Sequence, residues 1–323
     1  MTRTARRRWS REFPGEIDGT AFGESGPVFV HGYDPPAGGK WIDSVIPGKL
    51  VAFERTTGEV LWLSPCEVGY GRGFGGGLGE PDELVLLGPS SAGHRIARMS
   101  ATTGELIGAR EISAFDQALV AADVCITVMP RRVSGILTSP MLEVWSHSHE
   151  GERYHQVGRA GRDLFVTYTD ARRRQGVLCL DVESGEPRGT FVDPTYPVIH
   201  ELACGDGLLV LLVGSRPAGA RSASASSLRL EAFRTGGSAA HPLWKQELAD
   251  ESPDELPDSS ISLDSGKLYV AHGALLEVRD GLSGRDLGEM TIPGLDERVA
   301  WSVFQGAGLL AEETRTSVFE LPA

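Results

Sequence analysis

Two histidines in the segment 146–150, SHSHE, have a spacing that could hold a metal ion. His147 and His149 lie two residues apart, so both imidazoles would face the same side of a strand, and Glu152 and His155 follow closely. Such ligands bind Zn²⁺ when three or four converge in a structured site. The segment also has the form of a strand that runs into a turn at Gly151. We therefore expect a polar turn and no bound metal.

A glycine-rich run at 69–80 contains the G-x-G-x-x-G spacing at Gly71, Gly73 and Gly76. In a dinucleotide site this turn follows a strand and opens a helix whose N-terminus meets the phosphates. Neither element can be recognised around these glycines, so we expect a flexible link. The acidic run 250–258, DESPDELPD, lacks the alternation and the glycine of a calcium loop, and we expect a solvated link there too.

Nucleophilic catalysis has no local signature in this chain. No G-x-S-x-G motif occurs, and no serine, histidine and aspartate fall in an order that indicates a triad. Any chemistry would depend on residues that the fold brings together from distant segments. The elements that could position them must therefore be predicted first.

Six segments consist of an apolar run followed by a turn with glycine, and the clearest is residues 50–62, LVAFERTTGEVLW. The turn glycines are Gly58, Gly104, Gly151, Gly185, Gly236 and Gly284, separated by 46, 47, 34, 51 and 48 residues. This is the period of four-stranded propeller blades. The repeat, together with 41 Gly and 19 Pro, predicts many short strands and almost no helix.

A seventh copy at 308–323 stops after its third strand, and the chain begins with a segment that contains Trp9. Trp9 resembles Trp62 and Trp244 in the predicted outer strands. We expect an all-β, seven-bladed β-propeller with four-stranded antiparallel blades in one domain, 1–323. Blade seven would combine 1–13 with 295–323, which leaves no open sheet edge between the first and last blades.

Blade three fits this period badly, because only 12 residues separate Gly151 from Leu164. Either this blade lacks its fourth strand or the inner strand of blade four is very short.

Residues 52–62, AFERTTGEVLW, are similar to the A-x-D-x-x-T-G-x-x-x-W repeat of PQQ-like propellers, which include quinoprotein dehydrogenases and outer-membrane assembly lipoproteins. The matching residues are Ala52, Thr57, Gly58 and Trp62. Glu54 replaces the usual Asp, and blades two, four and six lack the Trp. The resemblance implies the propeller fold. The adjacent cysteine pair of many quinoprotein dehydrogenases is absent, so we expect no PQQ and no other cofactor.

The net charge of -13 argues against a nucleic-acid or anionic-membrane partner, since both would be repelled. The basic start MTRTARRRW is not followed by an apolar segment, and the chain has no apolar stretch of about 18 residues. Its four cysteines are far apart and form no C-x-x-C pair: Cys66, Cys125, Cys179 and Cys204. We expect buried free thiols and a cytoplasmic protein.

In a propeller, the links from second to third strands and from one blade to the next open on one face, here called the long-loop face. The tight glycine turns, and with them SHSHE, are predicted to lie on the opposite face. Long second-to-third links are predicted at 32–48, 130–140, 169–176 and 214–227. Because binding residues collect on loops of a rigid scaffold, we predict that Trp41 contacts a partner.

Alignment of the inner strands predicts a ring of charged groups at the channel mouth on this face. Its members are Asp18, Arg72, Asp116, His155, His200, Glu201, Asp258 and Arg298, the last near Trp301. They are either polar strand ends in solvent or a site for a small polar ligand. In a catalytic site, His200 would be the base, Asp116 and Glu201 its acidic partners, and Arg72 or Arg298 an anion clamp.

The sequence thus favours a non-enzymatic propeller that presents its long-loop face to a protein partner. The alternative is a ligand-binding or enzymatic propeller, of lyase, hydrolase or isomerase type, that uses the channel mouth. A PQQ dehydrogenase ranks third.

Overall fold

The computed structural model describes strands and turns, and no helix, in the following residues: 3–22, 26–35, 47–66, 68–69, 75–78, 82–90, 93–121, 123–196, 198–215, 227–236, 241–248, 260–295, 300–304 and 306–321. Within these ranges no helix is long and apolar enough to cross a bilayer.

Twenty-nine strands follow one another along the described chain. They are β1 Arg3–Thr4, β2 Arg6–Glu12, β3 Glu16–Phe22, β4 Val28–Tyr33, β5 Gly48–Phe53, β6 Val60–Cys66, β7 Gly75–Leu78, β8 Glu83–Ser90, β9 Gly93–Ser100, β10 Leu106–Ile112, β11 Gln117–Ala121, β12 Val124–Met129, β13 Arg132–Leu137, β14 Glu143–His147, β15 Arg153–Ala160, β16 Asp163–Thr169, β17 Gln175–Asp181, β18 Pro187–Tyr196, β19 Val198–Gly205, β20 Leu208–Ser215, β21 Ser227–Arg234, β22 Trp244–Glu247, β23 Ser260–Asp264, β24 Lys267–His272, β25 Leu275–Asp280, β26 Asp286–Thr291, β27 Ala300–Phe304, β28 Ala307–Ala311 and β29 Arg315–Glu320.

These strands form seven antiparallel sheets, the blades of a β-propeller. Blades one to five run from inner to outer strand as β3–β6, β7–β10, β11–β14, β15–β18 and β19–β22. Blade six is β23–β26, and the short β1 adds to its outer edge in parallel. Blade seven consists of β27–β29 with β2 outermost. The predicted all-β fold with seven blades is confirmed.

The two ends of the chain close the ring in blade seven. β2 pairs antiparallel with β29, with Trp9 opposite Val318 and Glu12 opposite Arg315. Trp9 is buried, and the Arg315 Nε–H donates to Glu12 Oε1 at 2.8 Å. The predicted closure by N-terminal and C-terminal pairing is therefore confirmed.

The core is divided among the interfaces between blades. Seven separate apolar clusters are buried in the described part of the chain, one at each junction of neighbouring blades. The second and third strands are buried on both sides because each lies between two other blades, as in β8, where residues 84–90 are all buried. This explains why second strands read as continuous apolar runs rather than as alternating patterns.

Four tryptophans fasten neighbouring blades at the glycine turns. Each stands in an outer strand, covers a turn glycine of the next blade and donates its indole N–H to the carbonyl three residues before that glycine. The pairs are Trp9 with Arg55 O (2.7 Å), Trp62 with Ala101 O (3.1 Å), Trp145 with Val182 O (3.1 Å) and Trp244 with Gly281 O (2.9 Å). A Cβ added at Gly58, Gly104, Gly185 or Gly284 would lie 2.6, 2.5, 2.3 or 2.7 Å from the indole. Only glycine fits beneath the ring.

Blade three has all four strands, and the inner strand of blade four, β15, has eight residues, so both alternatives that the sequence left open are wrong. The third strand of blade three is β13, so the prediction of a long link at 130–140 is wrong: only Pro130 and Arg131 separate β12 from β13. Gly135 hides this strand in the sequence because it interrupts the apolar run. Its missing side chain makes room for Trp145, whose ring would lie 2.2 Å from an added Cβ.

The turn of blade three therefore lies at 138–141, and Gly151 is not the equivalent of Gly58, Gly104, Gly185 and Gly284. Leu137 N–H donates to Leu142 O at 2.9 Å, and Met141 has φ +64°, where Gly58 has φ +70°. Residues 148–152 instead link β14 to the inner strand β15. The prediction that SHSHE lies on the face opposite the long loops is therefore wrong, since this link belongs to the long-loop face.

Two further predictions concern residues that the structure describes. All four cysteines are free: Cys66, Cys125 and Cys179 are buried, whereas Cys204 is half-buried. Of the G-x-G-x-x-G run, Gly71 and Gly73 lie outside the described residues, and Gly76 belongs to the inner strand β7 of blade two. The acidic run 250–258 also lies outside the described residues.

Candidate functional site

The candidate site is a cavity of about 360 Å³ on the long-loop face, where the inner strands of blades three, four and five meet. It is lined by Asp116, Gln117, Pro130, Arg153, Tyr154, His155, Gln156, Gln175 and Ile199. Two of these, Asp116 and His155, belong to the ring that the sequence predicts. Both are positioned by inner strands: Asp116 comes directly before β11, and His155 lies in β15.

The remaining predicted residues are distributed as follows. Asp18 lies in β3, and His200 and Glu201 lie in β19, but none of the three lines the cavity. Arg72, Asp258, Arg298 and Trp41 lie outside the described residues. The roles assigned to all these residues stay predictions.

Gln156 connects the cavity to the next blade. Its Nε2–H donates to the His200 backbone carbonyl at 2.6 Å, and its backbone N–H donates to Thr167 Oγ1 at 2.9 Å. Its Oε1 is buried and accepts no hydrogen bond from any residue that the structure describes. A buried amide oxygen without a donor is costly, so this atom could accept a hydrogen bond from a ligand in the cavity.

Gln175 holds the wall of the cavity from the third strand of blade four. Its Oε1 accepts a hydrogen bond from Ile199 N–H, which ties blade four to blade five at this face. Sequence analysis missed both glutamines because an uncharged amide in a strand has no spacing or charge that indicates a site. Their one signal is position, since Gln156 adjoins His155 in the predicted ring.

The pKa values of the two histidines in this region are both lowered. His155 Nε2 is hydrogen bonded to Thr169 Oγ1 at 2.6 Å, and burial, followed by the charge of Arg153, lowers its pKa. Burial alone lowers the pKa of His200, whose Nε2 has no hydrogen-bond partner among the described residues. A lowered pKa favours the unprotonated imidazole that a general base requires, but a general base also needs a group that orients it.

Glu201 does not provide that group. Its Oε2 accepts the Ile261 N–H at 2.8 Å, so the carboxylate reaches from β19 to the inner strand β23 of blade six. Burial raises the pKa of Glu201 to about 7, although the hydrogen bond from Ile261 opposes this effect. In the described part of the chain, His200 forms no side-chain hydrogen bond with Asp116 or Glu201. The candidate base and its predicted acidic partners are therefore not joined.

Asp18 is half-buried and pairs with the buried His31 in blade one. Its Oδ2 lies 3.5 Å from His31 Nδ1, and His31 Nε2 is hydrogen bonded to Val68 O at 3.1 Å. Burial lowers the pKa of His31, but Asp18, Cys66 and the Val68 carbonyl outweigh this effect and raise it to about 9. The charged imidazole thus anchors β3 and β4 to the link toward blade two. This explains Asp18 without a ligand.

Polar side chains of the inner strands fasten successive blades to one another. Gln156 joins β15 to β19, Glu201 joins β19 to β23, and Trp301 Nε1–H donates from β27 to Ser260 Oγ in β23. For the ring of charged residues, the sequence left two interpretations open: polar strand ends in solvent, or a ligand site. The three contacts show another arrangement, in which hydrogen bonds of polar side chains, rather than apolar packing, join neighbouring inner strands near the channel.

The predicted histidine pair has no metal-site geometry in the described residues. No group of three or more potential ligands converges there, and His149 Nδ1 instead lies 3.5 Å from Glu152 Oε1. The His147 ring packs 6.0 Å from the Tyr154 ring, and its pKa is lowered, mainly by burial. The arrangement is that of a polar link between blades.

The fold is similar to that of a solved structure, BamB from Moraxella catarrhalis. The TM-score is 0.53 at 13% sequence identity, and the match covers 98% of this chain and 100% of that chain. BamB is a PQQ-like β-propeller, so the propeller implied by residues 52–62 is confirmed at the level of the fold. No protein-family model matches the sequence, and no curated protein matches it. At this identity the likeness shows the fold alone.

Proposed function

We propose that the protein is a non-enzymatic, cytoplasmic interaction propeller that presents its long-loop face to a protein partner. The unequal length of the links is the observation that supports this most. The three longest links between consecutive strands, 34–47, 216–226 and 248–259, all leave the blades on the long-loop face. The opposite face has shorter turns, such as 54–59 and 281–285. Recognition residues collect on long links that a rigid scaffold holds.

The described channel residues support the same proposal. Glu201 and Gln156 contribute hydrogen bonds between blades, and Asp18 forms an ion pair with the buried His31. These contacts stabilise the fold. They explain why these three polar groups occur in the inner strands without assigning them a catalytic or ligand-binding role. His200 has no orienting partner among the described residues.

Affinity capture from the source cell, quantified by mass spectrometry, tests this proposal. Trp41→Ala removes the aromatic side chain predicted to anchor the partner, and we expect at least a tenfold loss of capture, since a hot-spot residue contributes about 2 kcal/mol or more. Leu282→Ala is the matched control: Leu282 is 54% exposed in a glycine turn on the opposite face. Capture that is unchanged by Trp41→Ala but lost with His200→Ala would contradict the proposal.

A second candidate function is the binding of a small polar ligand in the 360 Å³ cavity. The observation that favours it is the buried Gln156 Oε1, an acceptor without a described donor. Candidate ligands can be screened by the rise in melting temperature that binding to the native state produces. Gln156→Leu should abolish that rise, whereas Gln117→Leu, at the same cavity, should reduce it less. Equal responses of both variants and the wild type would rule this candidate out.

A further inference from the structure

We propose that the groove between blades two and three binds a ligand that joins one carboxylate to a short apolar chain. The groove has a volume of about 380 Å³ and lies between β10, the outer strand of blade two, and the strands β12 to β14 of blade three. Its described lining falls within residues 110–143, apart from the three longest links. The inference is therefore independent of the function proposed for the long-loop face.

Thr127, in the second strand of blade three, distinguishes this junction from the other six. The strand registers define its position: it pairs with Ser134, the residue before Gly135, which in turn pairs with Trp145. The same registers, counted from the tryptophan or glycine that takes the place of Trp145, place an aliphatic side chain at this position in every other blade. These side chains are Val30, Leu86, Val166, Leu211, Val270 and Leu310. Among the seven positions, only that of blade three carries a polar side chain.

The six aliphatic side chains fill their junctions, whereas Thr127 does not. Each of the six is at most 2% exposed and belongs to the apolar cluster between its own blade and the preceding one. The buried members of the cluster between blades two and three do not include Thr127; they are Val85, Leu87, Ile96, Phe115, Cys125 and Ile136. Thr127 and Ser134 instead line the groove. The open space therefore lies where an aliphatic side chain fills the other junctions.

Two buried hydroxyl groups line the groove without a partner in the described part of the protein. Thr127 is 8% exposed and Ser134 is 5% exposed. Neither side chain forms a hydrogen bond with a residue that the structure describes. A buried hydroxyl without a partner costs free energy. A ligand that accepts both O–H groups removes this cost, and a carboxylate has an oxygen for each.

Arg110 adds one uncompensated positive charge to the lining. Its exposed side chain has no ion pair or hydrogen bond among the described residues. The other charges of the lining are already paired, Glu111 with Arg95 and Arg132 with Glu143. One free guanidinium balances one negative charge and matches a planar carboxylate through two parallel hydrogen bonds. The two carboxylates of the lining would repel a second negative charge, which disfavours phosphate.

Apolar side chains form much of the remaining lining, namely those of Ile112, Met129, Ile136 and Met141. Pockets of roughly 300 Å³ or more with apolar walls and a few polar groups are typical of small-ligand sites. The ligand class is thus an acid with a short aliphatic chain. Its source is either a free small molecule or the carboxyl terminus of a peptide that ends in an apolar residue.

Hexanoate is the probe for a free acid, and N-acetyl-leucine is the probe for a peptide terminus. In amide NMR spectra of the intact protein, we expect saturable shifts centred on Arg110, Thr127 and Ser134, and the acid that binds more tightly identifies the source. Hexanamide and N-acetyl-leucinamide keep the shapes but lack the charge, and they should bind at least tenfold more weakly than their acids. The absence of saturable shifts with both acids, equal binding of acid and amide, or inorganic phosphate that binds as tightly as the better acid would each overturn the proposal.

Arg110→Gln should weaken binding of the better acid at least tenfold, because it removes the charge that the carboxylate meets. Arg285→Gln is the matched control, since it removes the same charge from an exposed turn of blade six. The control should bind the acid like the wild type. Undiminished binding to Arg110→Gln would refute the assignment.

Thr127→Val tests the buried hydroxyl while it keeps the shape of the side chain. Because this hydroxyl has no described partner, we expect the variant to unfold at the same temperature as the wild type or a higher one, yet to bind the acid about tenfold more weakly. Thr316→Val is the matched control, since Thr316 is fully buried in blade seven and its hydroxyl also lacks a partner among the described residues. The control should keep its acid binding. Undiminished binding to Thr127→Val, or an equal loss in both variants, would contradict the proposed site.

Discussion

At the residue scale, Glu201 shows how burial changes the behaviour of a group that the sequence marks as chemical. The carboxyl is removed from water and receives one hydrogen bond, from Ile261 N–H. Burial therefore raises the pKa of Glu201 to about 7, so that it carries a proton well above the pH at which an exposed glutamate ionises. Because the folded pKa lies above the unfolded value, the native state loses stability as the pH rises from about 4.5 to about 7.

Glu201→Gln should remove this dependence while it keeps an oxygen for the Ile261 hydrogen bond. We expect the variant to gain on the order of 1–3 kcal/mol over the wild type at about pH 8, where the wild-type carboxylate is charged, and to differ little at about pH 4.5. Urea denaturation at the two pH values measures both differences. A variant that is destabilised equally at both would show that the carboxyl has another role.

The type of side chain also decides which residues of the site can be predicted from the sequence. Asp116 and His155 are recognisable in the sequence by their charge and their alignment, and both line the cavity. Gln156 and Gln175 are not, since an amide becomes chemically distinctive only when it is buried without a full set of partners. Burial depends on neighbouring blades, and one blade's sequence does not contain that information.

At the scale of elements, the visibility of a strand in the sequence depends on its place in the blade. Second strands can be predicted in every blade because burial between two neighbours requires a continuous apolar run. β13 escapes prediction because Ser134 and Gly135 interrupt its run, although both are part of the packed blade. Gly151 imitates a turn glycine in the sequence, whereas the true turn carries Met141 in the left-handed conformation, which glycine usually adopts.

Gly104→Ala tests the packing of a tryptophan on its turn. The added Cβ would lie 2.5 Å from the Trp62 ring, whereas one at Gly161 would have no described atom within 4 Å. Both glycines have positive φ, +74° and +62°, so Gly161→Ala reproduces the backbone strain alone. We expect Gly104→Ala to cost about 1–3 kcal/mol more than Gly161→Ala, the usual cost of overpacking. Equal losses in chemical denaturation would mean that the indole does not constrain the turn.

Deletion of residues 1–13 tests the closing strand. It removes β2 and exposes both β29 and the surface beneath Trp9, so we expect a loss of about 3–5 kcal/mol, as for a buried tryptophan, with the ladder bonds in addition. Deletion of residues 1–5 removes only β1 and should cost much less. Thermal unfolding compares the two truncations. An unchanged melting temperature after the longer deletion would disprove closure by β2.

At the scale of the whole molecule, the repeat predicts the architecture because each blade must bury both of its sides. The seven interblade clusters meet that requirement, and the paired termini extend it around the ring. Binding to a partner protein, in contrast, does not require a pattern that repeats from blade to blade in the sequence. The surface that receives the partner has to be inferred from the unequal link lengths of the two faces.

Hydrogen exchange of the protein, alone and with its captured partner, tests the central claim most directly. The claim is that the long-loop face receives the partner, so protection on binding should concentrate in residues 34–47, 216–226 and 248–259, while the turns 54–59 and 281–285 exchange as before. The Trp41→Ala variant should lose this protection. Protection confined to the glycine-turn face, with the three long links unchanged, would contradict the account.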